Sequence, residues 1–339
     1  MTVYNPLLAE GFGHGSLTWL TSYGWTTSGT VAISSAHSHT TVSGAGSAYS
    51  ASLTNASTLT TPSFATTSRW AQAVTWVPSG SVMAMGFFRS GVANASVSID
   101  TTGLVKIWRG LQGNTLLATS ASSLPASTNQ LLWVDMVAKE AVNGGRCQVY
   151  ANASVTAIVD TGANVDCANT ATPDWDQVRF QAYAGGSFFV MDVVVFTTTD
   201  GRFPGEMYSQ WQYPTGNGVV TFTPSADTNW QCVDDAAVTT NYNSSLTANQ
   251  DLLTYAPLGL TGITIITVAM QLYGTTEGSV TTSANVASSG GSTSSGTLRA
   301  LSAGGTYSGL QDYFNADPST GAAWTVPGLD AASFGYKVA

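Results

Sequence analysis

Apolar and polar positions along this chain alternate in short runs, with period 2 and almost no helical period. Examples are "VMAMGFFR" (Val82–Arg89), "ASVSID" (Ala95–Asp100), "LVKIWRG" (Leu104–Gly110) and "LLWVDMVAKE" (Leu131–Glu140). "RCQVYANASV" (Arg146–Val155), "WDQVRFQAY" (Trp175–Tyr183) and "SFFVMDVVVF" (Ser187–Phe196) continue the series. Val, Ile, Phe, Tyr and Trp dominate these runs, and Gly, Asn, Ser or Pro bound them, which is strand chemistry. "IDTTGLVKI" (Ile99–Ile107) predicts a hairpin that turns at Thr102-Gly103. Short strands with regular turn signals predict an all-β sandwich or jelly roll.

A break falls in "TTTDGRFPGE" (Thr197–Glu206), where an Asp-Gly turn and Pro204-Gly205 follow the apolar "MDVVVF". Downstream a second, smaller set of strands begins. The chain therefore reads as two tandem β-sandwich domains, 1–198 and 199–339. The most apolar run, "LGLTGITIITVAMQLYG" (Leu258–Gly274), is short for a membrane span and is interrupted by Thr and Gly. It predicts a buried strand or strand pair, and no membrane insertion. "SVTTSANVASSGGSTSSG" (Ser279–Gly296) predicts a strand followed by a flexible Gly/Ser loop.

Composition changes the picture in one respect. Hydrophobic residues make up 43% of the chain, enough for packed cores, but charged residues only 9%. Ser, Thr, Asn and Gly supply the polar surface, and such short side chains lose little rotamer entropy in a contact. That surface suits close packing against other subunits and lacks the charge that keeps soluble proteins apart. The net charge of −9, with scattered Lys and Arg, argues against nucleic-acid binding. The opening "MTVYNPLLAEGFGHG" has no signal-peptide pattern, so the expectation is assembly inside a cell and release by lysis. Cys147, Cys167 and Cys232 read as buried small apolar residues; a Cys147–Cys167 bridge stays open if both lie on adjacent strands.

Candidate chemistry is sparse. His37 and His39 in "AHSHTT" share one face if extended, but no third ligand is near in sequence, so an exposed polar segment is the expectation. Asp174 and Asp176 flank Trp175 in "PDWDQV". In a strand both acids share a face and could line a sugar site or bind calcium, with Trp175 stacking on a ring. The competing reading makes Asp174 a turn residue after Pro173 and puts Trp175 in the core. Asp234-Asp235 has the same ambiguity. Trp19, Tyr23 and Trp25 in "TWLTSYGW" are a candidate carbohydrate platform or core residues. The glutamates Glu10, Glu140, Glu206 and Glu277 fall mostly at turns, so no facing carboxylate pair for glycoside hydrolysis is evident. No phosphate loop, dinucleotide fingerprint or CxxC pair occurs. The expectations are therefore no catalytic residues, no metal and no cofactor, with Trp25, Asp174, Trp175 and Asp176 as candidate glycan contacts.

Several stretches carry a family resemblance. "EGFGHGSLTWL", then "SIDTTGLVKIWRGLQGNTLLATSASSLPASTNQLLWVDMVAK", "CQVYANASVTAIVDTGANVDCANTATPDWDQVRFQAY" and "FFVMDVVVFTTTDG" resemble concanavalin/laminin-G-like jelly rolls of tailed-phage virion proteins. The family usually shows two acids in the last strand, and this chain keeps only Asp192. "PTGNG", "NWQCVDD", "NYNSS", "ITIITVAMQLYG" and "DPSTGAAWT…FGYKV" resemble the companion domain of such proteins, in which Trp324 packs under the sheet and "FGYKV" is a paired strand.

The resemblance implies a structural component of a phage particle, of minor tail, fibre-associated or capsid-decoration type. It is expected to work without enzymatic activity, by self-association and docking on other virion proteins, with a homo-oligomer, a trimer in the simplest case, as the working form. The alternative is a carbohydrate-binding receptor-recognition module of a tail fibre that takes host-surface glycans.

Overall fold

A computed structural model describes residues 6–40, 46–47, 49–64, 68–76, 81–152, 154–170, 174–197, 209–234, 241–276 and 279–339. The chain is all-β, with a jelly-roll sandwich in its first part, as the alternation requires. It divides into two compact units. Pro6–Leu17 with Gly24–Gln210 form the N-terminal one, and Thr18–Tyr23 with Trp211–Ala339 belong to the other.

The N-terminal unit opens with β1 (Pro6–Glu10), followed by the short helix α1 (Leu17–Ser22), most of which falls in the other unit. Next come β2 (Thr26–Ser34), the small pair β3 (His39–Thr40) and β4 (Gly46–Ser47), then β5 (Ser50–Thr60) and β6 (Ser68–Trp76). A meander follows: β7 (Val82–Arg89), β8 (Val92–Ile99), β9 (Leu104–Arg109) and β10 (Thr115–Ser123). The unit is completed by β11 (Asn129–Val137), β12 (Arg146–Ala151), β13 (Val159–Asp160), β14 (Gln177–Ala182) and β15 (Ser187–Thr197). Antiparallel pairing runs in the order β10-β9-β8-β7-β14-β5-β15-β6-β11-β12-β13, so strands distant in sequence lie side by side.

Alternation sets the core. Ala95, Val97 and Ile99 of β8, Val105 and Ile107 of β9, and Val178, Phe180 and Ala182 of β14 are buried on one face. Ser96 and Ser98, Lys106 and Trp108, and Gln177, Arg179 and Gln181 take the opposite face, because successive side chains on a strand point opposite ways. The hairpin expected at Ile99–Ile107 is present. Asp100 Oδ1 accepts from the amides of Thr102 (2.8 Å) and Leu104 (3.1 Å), and the Gly103 amide donates to Asp100 O. Burial pushes the Asp100 carboxyl up, but Lys106 and these donors outweigh it and hold it at about 2.

In the C-terminal unit, β16 (Pro214–Asn217) is followed by the pair β17 (Thr223–Pro224) and β18 (Asn243–Ser244), then β19 (Asn249–Tyr255) and β20 (Val268–Gly274). β21 (Thr282–Ser289), β22 (Ser292–Ser295), β23 (Arg299–Ala300), β24 (Ser308–Phe314), helix α2 (Val326–Asp330) and β25 (Ser333–Val338) follow. One sheet runs β16-β19-β25-β21-β22 with β23 on β21, and β20 pairs with β24 in a second. Ala287, Phe314, Trp324 and Phe334 form a core cluster with Val268 and Met270 packed against it. The end of the chain is held as expected: Trp324 is fully buried, its Nε1 donates to Phe314 O (2.8 Å), and β25 lies between β19 and β21.

Two expectations are corrected. The Gly/Ser stretch is not a flexible loop but the hairpin β21–β22, with Ser289 opposite Ser292. Gly290 (φ 53°) and Gly291 (φ 84°) both take the left-handed backbone that a two-residue hairpin turn needs and that glycine adopts without strain. The apolar run Leu258–Gly274 is not a buried strand pair. Strand structure starts only at Val268, and no residue of the run is buried. The proposed break after Thr197 falls at 198–208, outside the described residues.

Candidate functional site

The sequence candidates are tied up in the fold. Trp175 is fully buried, with its ring edge-on to Phe87 (4.8 Å) and Phe64 (5.7 Å) and Nε1 donating to Met136 O (3.1 Å). Strand β14 begins only at Gln177, so Asp174 and Asp176 sit at its entrance. Asp174 (φ 70°) faces Lys139 at 3.8 Å; Asp176 accepts from the Ser90 amide (3.2 Å) and lies 3.5 Å from Arg89. Trp25 is 1% exposed and packs edge-on against Phe12. Trp19 and Tyr23 are buried in the other unit, so the three aromatics of "TWLTSYGW" do not share one exposed platform. With both Trp25 and Trp175 in the core, neither ring has a face open to a sugar.

The His37 ring meets Phe189 at 4.1 Å. The placement of the His39 side chain and of Asp235 lies outside the described residues. Cys147, Cys167 and Cys232 are buried and free, so no Cys147–Cys167 bridge forms. Burial pushes the Cys147 thiol up, and that of Cys167 to about 11, which keeps both protonated and unreactive.

Two buried polar groups accompany β1 and β15. Asp192, in a left-handed conformation (φ 47°) at a β-bulge, accepts from the Ser209 amide (2.9 Å) and the Ser209 hydroxyl. Glu10 Oε1 accepts from the Phe12 amide and lies 3.6 Å from His14 Nε2. The Ser16 amide donates to His14 Nδ1 (3.1 Å), which leaves the ring proton on Nε2. Burial lowers the His14 pKa from 6.5 to about 4. An unfolded chain thus takes up a proton between these values that the folded chain refuses. The stability His14 confers is complete above pH 6.5 and is lost as pH falls from 6.5 towards 4, by at most about 3 kcal/mol. Denaturant titrations at pH 7 and 4.5 should show this slope, and His14→Gln should remove it; an equal slope in that variant would exclude His14 as its source.

The sequence did not signal the row that the register assembles in the N-terminal unit, in which Gly86 and Ser96 are buried and Arg179 and Trp108 half-buried. Across the face opposite the core, Arg179 stands opposite Thr60 and Gly86, Gly86 opposite Ser96, Ser96 opposite Trp108, and Trp108 opposite Leu116. Gly86 has to lack a side chain, since a Cβ there would lie 2.7 Å from Phe88 and 2.8 Å from Met83, which cover it. Phe88 and Met83 form a small cluster with Ala93 and Tyr183. The Arg179 guanidinium lies 3.9 Å over the Phe88 ring, and its Nε donates to Thr60 Oγ1 (3.0 Å). Half-buried Trp108 donates from Nε1 to Ser98 Oγ (2.8 Å), which fixes the indole over β8. The row thus joins a cation on one ring to an indole about 14 Å away, three strand spacings.

The fold defines a class: an all-β chain whose N-terminal unit is a jelly-roll sandwich. No known sequence family and no curated protein sequence matches the chain. Solved structures similar to part of it include the endo-β-1,4-glucuronan lyase of Trichoderma reesei, 13% identical over 57% of this chain and 96% of the lyase, with a TM-score of 0.39. Another is the lumenal domain of VIP36 in a Ca2+/Man3GlcNAc-bound form, 12% identical over 53% of this chain and 86% of that domain (TM-score 0.33). A third is the Trypanosoma rangeli sialidase in complex with 2,3-difluorosialic acid, 14% identical over 49% of this chain and 27% of the sialidase (TM-score 0.31). The expectation of a chain without enzymatic activity is corrected here. Folds similar to part of the chain belong to a lyase and a sialidase as well as to a glycan-bound domain, so a jelly roll gives no ground for excluding catalysis.

Proposed function

We propose that this chain is a structural component of a tailed-phage particle, located in the virion, that works by self-association and by docking on other virion proteins. The observation that carries this reading is the half-exposed state of the longest apolar run. Leu258, Leu260, Ile263 and Ile266 are only half-buried, and β20 pairs with β24 alone among the described strands. The same unit exposes Val219, Tyr242, Leu246 and Leu298. Each Leu or Ile that passes from half to full burial in a contact adds about 1 kcal/mol. With 9% charged residues, little repulsion opposes the approach of a second copy. A homo-oligomer, a trimer in the simplest closed form, fits these features.

Light scattering of the purified chain should give a multiple of 35.1 kDa. The double variant Leu260→Lys, Ile263→Lys should shift the mass to that of one chain without change in the circular dichroism spectrum. A monomer at every concentration, or a chain missing from purified particles, would end the proposal.

Glycan recognition is the second reading, supported by one observation. Trp108 is half-buried and keeps part of its indole at the surface, which the buried Trp25 and Trp175 do not.

A further inference from the structure

Asparagine followed by glycine occurs twice in the chain, at Asn143-Gly144 and at Asn217-Gly218. The pair carries a latent reaction. The amide nitrogen after an asparagine can attack the carbonyl carbon of that asparagine's side chain, and glycine, having no Cβ, leaves the approach open. All four residues are exposed, so access to water does not separate the two pairs. Their hydrogen bonds do.

In the C-terminal unit both reacting groups are held. Asn217 Oδ1 accepts from the Trp230 amide (2.9 Å), and the Gly218 amide, the group that has to attack, donates to Leu252 O (2.9 Å). Asn217 also stands opposite Leu253 in the pairing of β16 with β19, and a Cβ on Gly218 would lie 2.7 Å from Leu252 O. Ring closure there has to open the end of a strand pair first. In the N-terminal unit Asn143-Gly144 lies between β11 and β12, at the end of a one-turn 3-10 helix, Ala141–Asn143. Hydrogen bonds in such a turn have poor geometry, and an exposed turn opens readily. The Asn143 side chain makes no hydrogen bond to a described residue. Gly144 takes a left-handed φ of 79°, and apart from adjoining residues the nearest atom to a Cβ there would be Asn164 Oδ1, at 4.0 Å. Gly145 is the opposite: its amide donates to Glu140 O (3.2 Å), its carbonyl accepts from the Val165 amide (2.9 Å), and the carbonyls of Lys139 and Val165 leave no room for a Cβ. The loop is fixed at Gly145 and loose at the peptide before it.

We propose that Asn143 is a site of self-modification, where the side-chain amide is lost and a carboxylate, partly as isoaspartate, takes its place. The Gly144 nitrogen attacks Cγ of Asn143. The N–Cγ bond forms, the Cγ–Nδ2 bond breaks, and Nδ2 leaves as ammonia with the proton given up by the Gly144 amide. Water then opens the cyclic imide: cleavage at Cγ gives aspartate, and cleavage at the main-chain carbonyl gives isoaspartate. The nucleophile is the deprotonated amide, so the rate rises with pH. Each event puts a negative charge beside Val142, which is 89% exposed, on a chain that already carries −9.

The test incubates the full chain in mildly alkaline buffer and maps its peptides by mass. Conversion of amide to acid at Asn143 should run about tenfold or more ahead of that at Asn217, which waits on the opening of two hydrogen bonds. In denaturant the two sites should convert at similar rates. Asn143→Gln should remove the fast conversion without change in the circular dichroism spectrum, because the Asn143 side chain holds no described partner. Conversion at Asn217 equal to or ahead of that at Asn143 in the folded chain would overturn the proposal, as would an Asn143 that stays intact. A gap that persists in denaturant would trace the difference to neighbouring sequence and overturn the structural account. Aspartate without isoaspartate would overturn the cyclic step.

Discussion

Asp251→Ala should unfold the C-terminal unit under conditions where the parent chain is stable, with a loss on the order of 4 kcal/mol. Asp251 lies in β19 with no solvent exposure, and its carboxylate is held by four donors. Oδ1 accepts from the amides of Thr221 (2.6 Å) and Phe222 (2.9 Å); Oδ2 accepts from Asn229 Nδ2 (2.9 Å) and the Tyr336 hydroxyl (3.2 Å). Burial, then the nearby carboxylate, pushes the Tyr336 hydroxyl well above its ordinary range, so it remains a donor. Alanine would leave the buried donors among these, the Phe222 amide, Asn229 and the Tyr336 hydroxyl, without this acceptor, each costing about 1–3 kcal/mol. The network ties the loop before β17 to β19 and β25, so it is the polar counterpart of the cluster formed by Phe222, Leu253 and Tyr336. Asp251→Asn should be milder, since the amide keeps one acceptor oxygen. Denaturant midpoints of the two variants would check this; equal losses would show that the charge and the geometry of the acceptor do not matter.

Trp175→Ala should cost about 3–5 kcal/mol in the N-terminal unit, with no specific effect on sugar binding. The ring is 0% exposed between Phe87 and Phe64, and alanine leaves both a cavity and an unpaired Met136 carbonyl. Chemical denaturation would report the loss, and calorimetric titration with a neutral gluco-oligosaccharide would report ligand affinity. A variant of unchanged stability with lost saccharide binding would return Trp175 to the role of a contact residue.

Much of the fold could be read from local pattern. The hairpin at Asp100–Gly103 and the strand at "FGYKV" follow from alternation and turn chemistry within a few residues. Burial of Trp175 was one of two readings, and the pattern could not choose between them, because a tryptophan at a strand entrance serves core and surface equally well. The Gly290-Gly291 hairpin was hidden by composition: a serine-rich stretch looks like linker, yet paired glycines at its centre are themselves a turn signal. Helix α1 spans six residues, too few to show a period. The row through Arg179 was out of reach, because a strand register that joins Arg179 to Gly86 and Thr60 is set by packing across the sandwich and leaves no mark in local sequence.

The assignment of Thr18–Tyr23 has a consequence for how the chain is made and dissected. The ring of Trp19 lies 6.0 Å from both Trp211 and Tyr273, which leave the ribosome long after it does. An early segment must therefore wait, unsatisfied, for the polypeptide from Trp211 to Tyr273. No single cut near residue 200 would release two whole modules: a fragment starting at Trp211 would lack an aromatic plug that the amino end alone provides. Supplying that hexapeptide through a linker, or rejoining the chain in circularly permuted order, would restore it.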